Sequence, residues 1–568
     1  MSVTTPHQQS EVRDPCADRA RYAENGWDQK RLKVSQQDGD ILARPSLDSV
    51  DEIYYRNREE LNSSQLDIQG LSLKDLRETA RDELIDLAVN YTAHLRQETV
   101  QRPDSEGVIC DGHQPLLFHS GVWAKNFVLG GLAAKVNAVP LHLIVDNDSG
   151  SSSGISVPTG SIVSPEIVNV SYDAPMDDHP WEEISVRDLS QFESLSAKVS
   201  ELMNPWGIQP LISQCWPQAV NAAKRGDSLS DCLSLARHAV ERQWGLENLE
   251  LPLSQVCDSQ TFRRFFCHVI SHLPCFRELY NQVLEEYRDV NGIRSQTHPV
   301  PELKAHDSWL EAPFWVWSES SPRRQPLYVK RVDREILLAS EFSEFARLEL
   351  SAESTPESAI EQLSNLRNQG WKIRSRALTT TLYARLCLSD LFIHGIGGAK
   401  YDEMTDRLMT RFYGIKPPEY LTLSGTWHLP IEMDRQGFGN SKQSLQRKLR
   451  DLDYNPEKYL GVSHSEECRS LIEEKQRLVN EQHRAEAGER LGESRREHHR
   501  RGCERYRRLK LINAELAKFV ETSKVRIRTE LEQARHRADA NKILKSREYS
   551  FVLFPEEKLR PAMKQLEG

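Results

Sequence analysis

The chain has 568 residues, of which 38% are hydrophobic and 28% charged, with a formal net charge of −10 at pH 7. At about 150 residues per domain, this length implies about three or four folding units, and the low apolar share requires one large segment to be solvated nearly all round. The negative balance argues against nucleic acid or an anionic membrane as the main partner, because binding there rests on neutralising phosphates; small molecules or proteins remain.

Ten cysteines are scattered without a CxxC pair in a chain too large to need staples, which points to reduced thiols in a cytosol. The opening MSVTTPHQQSEVRDP has no charged segment followed by an apolar run, and no stretch approaches the ~18 apolar residues of a membrane span. The expectation is therefore a soluble, cytoplasmic protein.

Residues 1–105 form a polar segment, irregular to about residue 70, and then a helix capped by Ser72 whose Leu73, Leu76, Ala80, Leu84, Leu87 and Tyr91 recur at three-to-four spacing. Residues 106–185 change to strand-like runs at Val108–Cys110, Leu141–Val145 and Ile167–Val170, with a helix over about 121–137 between the first two. This βαβ order predicts a parallel sheet. Residues 186–300 read as a helical insertion, the clearest helix being 262–284, which Pro274 should kink or split. Strand character returns over 301–440 in FWVW (Phe314–Trp317), Leu327–Val329 and DLFIHGIGG, the last followed by the helix-like YDEMTDRLMTRFYG. These residues are expected to complete the α/β core.

After 440 the composition shifts. Leu471 and Leu478, then Leu509, Ile512, Leu516 and Phe519, keep an apolar alternation for about two heptads at each end, while almost nothing between 482 and 505 is apolar. Residues 441–545 are therefore read as an antiparallel coiled-coil hairpin with a solvated tip near Gly488–Gly492, and 546–568 as a tail returning to the core. The expected fold is α/β: a Rossmann-like parallel-sheet core with a helical insertion and the hairpin.

Three turns carry candidate chemistry. Gly112-His113-Gln114-Pro115 follows the first strand, where doubly wound sheets bind ligands; backbone N–H groups near Ser120 and Gly121 would favour an anion, and His113 or His119 could donate to it or move a proton. The plain alternative is a tight turn with surface histidines. Asp146-Asn147-Asp148-Ser149-Gly150 puts two carboxylates after the next strand, suited to a general base, an amine or a metal, or simply to closing their own turn. His394-Gly395-Ile396-Gly397-Gly398-Ala399-Lys400 follows a strand and precedes a helix; its glycines allow close approach of a phosphate or carboxylate, with Lys400 as a cation, or else serve packing. Cys267, His268, His272 and Cys275 match no compact zinc module, so no metal is assigned. The arginines of the hairpin tip alternate with glutamates and read as a solvated face.

Together GHQPLLFHSGVWAKNFVLGGLAAKVNAVPLHLIVDND, then FIHGIGGAKYDEM with YGIKPPEYLTLSG, and the helical hairpin followed by VLFPEEKLRPAM resemble, in order, the bacillithiol-synthesis cysteine-adding enzymes. That family reads G-Q-Q-x-G-L-F-x-G, helix, then a strand ending E-D-H-D, and later a G-G-P-x-E loop. His113 stands for the first glutamine and Gln114 keeps the second. Of E-D-H-D, at Asn147, Asp148, Ser149 and Gly150, only Asp148 is kept, and the loop glutamate falls at Tyr401, beside Asp402 and Glu403. The resemblance implies a nucleotide-binding-like core, an inserted helical domain and a coiled coil that mediates homodimers, with a reaction joining the cysteine carboxyl to the amine of glucosaminyl malate.

The resulting expectation is a carbon-nitrogen ligase joining an amino-acid carboxyl to a small amine. Asp148 or His113 would be the base, with Gln114, His119, Asp146 and His394 holding substrate. Gly395, Gly397, Gly398 and Lys400 would bind an anion or phosphate; a nucleotide is the cofactor this loop could take. The alternative is a non-catalytic descendant that binds a metabolite or a protein and dimerises through its coiled coil.

Overall fold

The structure, a computed structural model, describes residue 27 and residues 32–150, 153–175, 178–351, 355–431, 442–460, 465–486 and 495–567. Among these, two compact units separate: one holds the residues up to Val157, Val168–Pro430 and those from Arg547 onward, the other Pro158–Ile167 and Ile431–Ser546. The strands, in chain order, are β1 (Ile41–Arg44), β2 (Gly107–His113), β3 (Ala138–Ile144), β4 (Gly154–Gly160), β5 (Pro165–Ser171), β6 (Leu249–Pro252), β7 (Ala305–His306), β8 (Trp309–Ser318), β9 (Ser321–Val332), β10 (Glu335–Ser340), β11 (Ser343–Glu349), β12 (Trp371–Ser375), β13 (Leu391–His394) and β14 (Leu421–Gly425).

The chain is mixed α/β. Its six-stranded sheet has the order β1-β14-β13-β2-β3-β6. Four pairings are parallel, and β1 closes one edge antiparallel to β14. From β2 the chain moves outward through β3 to β6, and from β13 it moves the other way to β14. The direction of winding therefore reverses between β2 and β13, the position at which open α/β sheets leave a crevice beyond their strand ends. Alternate residues point to opposite faces. Val108, Cys110, Leu141, Leu143, Leu249 and Leu251 enter one core with apolar residues of the helices Leu73–Arg96, Gln260–Ser271 and Ile396–Arg411, while Asp111, His142 and Glu250 lie on the other face.

The helix Ser120–Val136 joins β2 to β3 close to its expected limits, and Ser72 caps Leu73–Arg96 by accepting from Asp75 N–H. The long insertion helix breaks at His272 into Gln260–Ser271 and Leu273–Asn291, with Pro274 in the first turn of the second. Other expectations are corrected. Residues 301–440 supply only β13 and β14 to the parallel sheet; β8 to β12 build a separate sheet, order β11-β10-β9-β8-β12, whose pairings are antiparallel. The run at 167–170 pairs, among the described residues, with β4 alone in a two-stranded ribbon. The helical insertion contributes the edge strand β6, and the polar N-terminal stretch contributes β1 and the helix Val50–Asn62.

In the second unit the helices are Lys442–Tyr454, Glu466–Glu486, Arg495–Phe519 and Glu521–Leu544. The first packs on the fourth through Leu445, Leu452, Ile527 and Leu531, and the second on the third through Cys468, Ile512 and Leu516. Each arm of the expected hairpin is thus two helices rather than one; its tip at Gly488–Gly492 lies outside the described residues. Among the described residues no helix is long and apolar enough to cross a membrane. Eight cysteines among the described residues carry free thiols, whereas Cys275 is disulfide-bonded, a correction to the expectation of reduced thiols throughout.

Candidate functional site

Parallel strands deliver their carboxyl ends to one edge of the sheet, so the turns after β2, β3 and β13 emerge side by side. The first two meet. Gln114 Nε2 donates to Asp148 Oδ2 at 3.1 Å. Asp148 Oδ1 accepts from its neighbour Ser149 N–H and, at 2.9 Å, from Nη1 of Arg324 on β9; Arg324 Nη2 reaches Ser149 Oγ at 2.6 Å. The turn is pinned from behind, since Trp181 N–H donates to Asp148 O and Glu182 N–H to Asp146 O. Two guanidinium groups flank the Trp315 ring, Arg324 at 5.1 Å and Arg376 at 4.0 Å from its centroid. Arg376 is buried and gives one N–H to Glu311 at 2.7 Å, while its Nε and Nη1 have no hydrogen-bond partner among the described residues. A half-buried indole, two cations and one carboxylate thus lie beyond the ends of β2 and β3.

His113 stands beside Gln114, its ring edge-on to Phe118 at 4.7 Å. Burial first, and then the charge of Lys125, push its pKa down to about 3, so the imidazole is neutral at ordinary pH. Lys125, on the helix that follows β2, is buried with its Nζ donating to Gly112 O at 2.9 Å and lying 3.4 Å from Asp111. It also bears on His394, across the winding reversal at the end of β13. His394 Nε2 contacts Asp402 Oδ2 at 2.8 Å, and Asp402 is held in turn by Arg385. Burial lowers the His394 pKa, partly offset by Asp402.

The glycine turn opens the helix Ile396–Arg411 with no side-chain cap. A Cβ would meet nothing at Gly395 or Gly397, whereas at Gly398 it would press on His394 Nδ1 at 2.9 Å. Packing therefore accounts for one glycine of the three, and the other two leave the helix start open. Lys400 is exposed on that helix.

Two candidates are used elsewhere. His119 caps Ser120–Val136, its Nδ1 accepting from Gly121 N–H at 3.1 Å, so the helix start read as an anion site is already partnered. Asp146 turns away to Ser254, accepting its N–H at 2.9 Å and its hydroxyl at 2.5 Å. Burial, reinforced by Glu182, pushes the Asp146 carboxyl up to about 8.

Beneath the strand ends runs a row absent from the sequence reading. Asp111, His142 and Glu250 are cross-strand neighbours on β2, β3 and β6, all buried. His142 Nδ1 contacts Asp111 at 2.6 Å. Lys125 closes one end. At the other, Arg237 bonds Glu250 bidentately at 2.9 and 2.6 Å and Glu241 at 2.7 Å, and His238 contacts Glu250 at 3.1 Å. Burial alone would raise Glu250, but Arg237, then His142 and His238, outweigh it and hold the carboxyl far below its usual range. His238, Glu241 and Glu250 lie close enough to share a metal ion; the Arg237 guanidinium, bonded to both carboxylates, already supplies the positive charge.

The residues missed by sequence reasoning are thus Lys125, Arg324, Arg376 and this row. The row leaves one local signal, a lone charged or imidazole residue inside an apolar strand (VICDGH, PLHLI, LELP); the arginines leave none, because they arrive from a different sheet. Compared with family models and with curated proteins, the chain matches none.

Proposed function

We propose that the chain is an enzyme acting on a small molecule at the carboxyl edge of its parallel sheet, in the amide-forming class of the bacillithiol cysteine-adding enzymes it resembles. One observation carries the reading: Gln114 and Asp148, 34 residues apart in the chain, meet beside Arg324 next to the point of winding reversal. The core is then Rossmann-like and the second unit a coiled-coil hairpin through which two copies pair.

Arg324 and Arg376, on Trp315, would take the carboxyl group, activated as a mixed anhydride with a phosphate from the nucleotide, and stabilise the oxyanion that develops as the amine adds; the C–N bond would form and the C–O bond to that phosphate break, with phosphate as the leaving group. Asp148 Oδ2, whose one bond among the described residues is from the Gln114 amide, is the atom to receive the amine proton, while its other oxygen orients Arg324. Neutral His113 then serves as a hydrogen-bonding group rather than a titrating base. Gly395, Gly397 and Lys400, at an open helix start, would hold an anion or the phosphates of a nucleotide.

Metabolite profiles of cells with and without the protein should differ in an amide, and the purified full chain should form it. Asp148→Asn and Arg324→Met should each slow that turnover by about 100-fold or more with unfolding temperatures little changed. No difference in any amide, or wild-type rates in both variants, overturns the reading. A second reading, a non-catalytic metabolite binder, draws on the engagement of Asp146 with Ser254 and the loss of three of the four E-D-H-D residues; it predicts saturable metabolite binding without turnover.

A further inference from the structure

The formal charge of the chain is the sum of two unlike parts. Lys and Arg number 74 against 84 Asp and Glu overall, but 26 against 18 within residues 442–546, so a basic unit belongs to an otherwise acidic chain. The excess is greatest in the helix Arg495–Phe519. Residues three and four apart share a helix face, and Arg496, Arg500, Arg507, Lys510 and Lys518, with Cys503 and Ala514 between them, fall on one stripe, all exposed. That stripe holds five cations and no acid. The acids Glu497, Glu504 and Glu515 stand together about a quarter turn away, on the flank where Arg508 bonds Glu474 of the neighbouring helix with two N–H groups, each at 2.7 Å. What alternates along the sequence is therefore separated on the surface. Arg500 has Glu504 at 3.9 Å; Arg496, Arg507, Lys510 and Lys518 make no hydrogen bond or ion pair with their side chains among the described residues. On the flank opposite the acids stand His499 and Tyr506, two turns apart, with Tyr506 67% exposed.

We propose that this stripe binds the phosphate backbone of a single-stranded nucleic acid, without reading its sequence, while a base stacks on Tyr506. From Arg496 to Lys518 the cations extend over ~33 Å at the helical rise per residue, a row that follows a strand rather than enclosing one small anion. Three of the five are arginines, whose planar fork matches phosphate. An exposed ring beside cations is the platform on which sequence-tolerant binders stack bases. A bilayer fits less well, because an interfacial helix buries an apolar face in lipid, and here Ile512 and Leu516 are already buried against Cys468 of the neighbouring helix. The negative balance of the whole chain does not decide the matter. Exposed charges act over only about 8 Å at physiological salt, and within that range along the stripe the sign is positive.

Fluorescence anisotropy of a labelled mixed-sequence strand of about 20 nucleotides, DNA and RNA in separate titrations with the full chain, tests this. Binding should be saturable at low salt, and the logarithm of the association constant should fall with the logarithm of salt concentration at a slope of about −3, the value for four or five phosphates neutralised on a single strand. A variant with Arg496→Gln, Arg507→Gln and Lys510→Gln should bind at least about tenfold more weakly, and Tyr506→Ala at least about fivefold. Removing as many charges from the helix Glu521–Leu544, through Arg526→Gln, Arg528→Gln and Lys542→Gln, should change affinity by no more than about threefold. All seven side chains are exposed, so every variant should unfold at the wild-type temperature, which a thermal melt checks. The proposal is overturned by absence of saturable binding of both strands, by a stripe variant or a Tyr506→Ala variant that binds as the wild type does, by an equal loss in the Glu521–Leu544 variant, or by vesicles of phosphatidylserine and phosphatidylcholine bound as tightly as the strand. None of these outcomes bears on the turns that hold Gln114 and Asp148.

Discussion

Asp146 and Asp148 stand two positions apart and meet opposite electrostatic surroundings. Asp148 is partly exposed and faces the Arg324 guanidinium; Asp146 is buried against Ser254, with Glu182 nearby, and its pKa is pushed up from 3.8 to about 8. The folded protein therefore keeps the Asp146 proton over a range in which the unfolded chain has released it. Stability from this group is present below the unfolded pKa and is lost as pH rises toward 8, by up to about 1.4 kcal/mol per pH unit. Asn reproduces the protonated carboxyl, accepting from Ser254 N–H and donating to its hydroxyl. Urea unfolding at pH 5 to 8 should show Asp146→Asn gaining on the wild type with each step up in pH, and a constant difference would refute the assignment. The sequence shows both aspartates at a strand end but cannot separate them, because what distinguishes them is supplied by Glu182, Ser254 and Arg324.

The row Asp111-His142-Glu250 belongs to three strands at once, and its register is the reason it exists: each residue is the direct cross-strand partner of the next. Buried charges of this kind stabilise little relative to apolar residues but are expensive to break singly. Glu250→Gln should cost about 3 kcal/mol, since Arg237 keeps only Glu241. Paired with Arg237→Met it should cost less than the sum of the two single changes, by about 1 kcal/mol or more; additive losses in a denaturation cycle would show that the two side chains do not act as a unit. The elements around this row were unequally legible. β2, the helix Ser120–Val136 and β3 announce themselves through apolar runs and a turn of glycine and proline. β6 is four residues, LELP, inside helical sequence. The turn between β10 and β11 places Glu341 and Phe342 at φ 48° and 65°, a conformation usually signalled by Gly or Asn, so this hairpin carries no local mark. Strand direction leaves no mark either, which is why the sequence pattern does not separate this antiparallel sheet from the parallel one.

The Arg324 to Asp148 bond spans 176 positions in the chain; a contact of that range depends on the whole fold, and only its Asp148 end, at a strand terminus, is legible in the sequence. The same whole-chain view separates the two units by how much apolar surface each buries. β2 and β3 lie in a core that also gathers residues from helices throughout the first unit. The helices Glu466–Glu486 and Arg495–Phe519 share a core whose fully buried members are Cys468, Ile512 and Leu516, with Leu460, Leu471, Ile472 and Leu478 packed partly against it. Local opening should therefore be far easier there. In hydrogen exchange read by mass spectrometry, peptides from these two helices should exchange at least about 100-fold faster than peptides from β2 and β3. Equal protection at low protein concentration would contradict this account of the second unit. Protection that instead rises with protein concentration is what pairing of two copies through these helices requires, because association stabilises the bound form by mass action; the dilution series thus tests the small core and the dimer reading together, and the two respond to it in different ways.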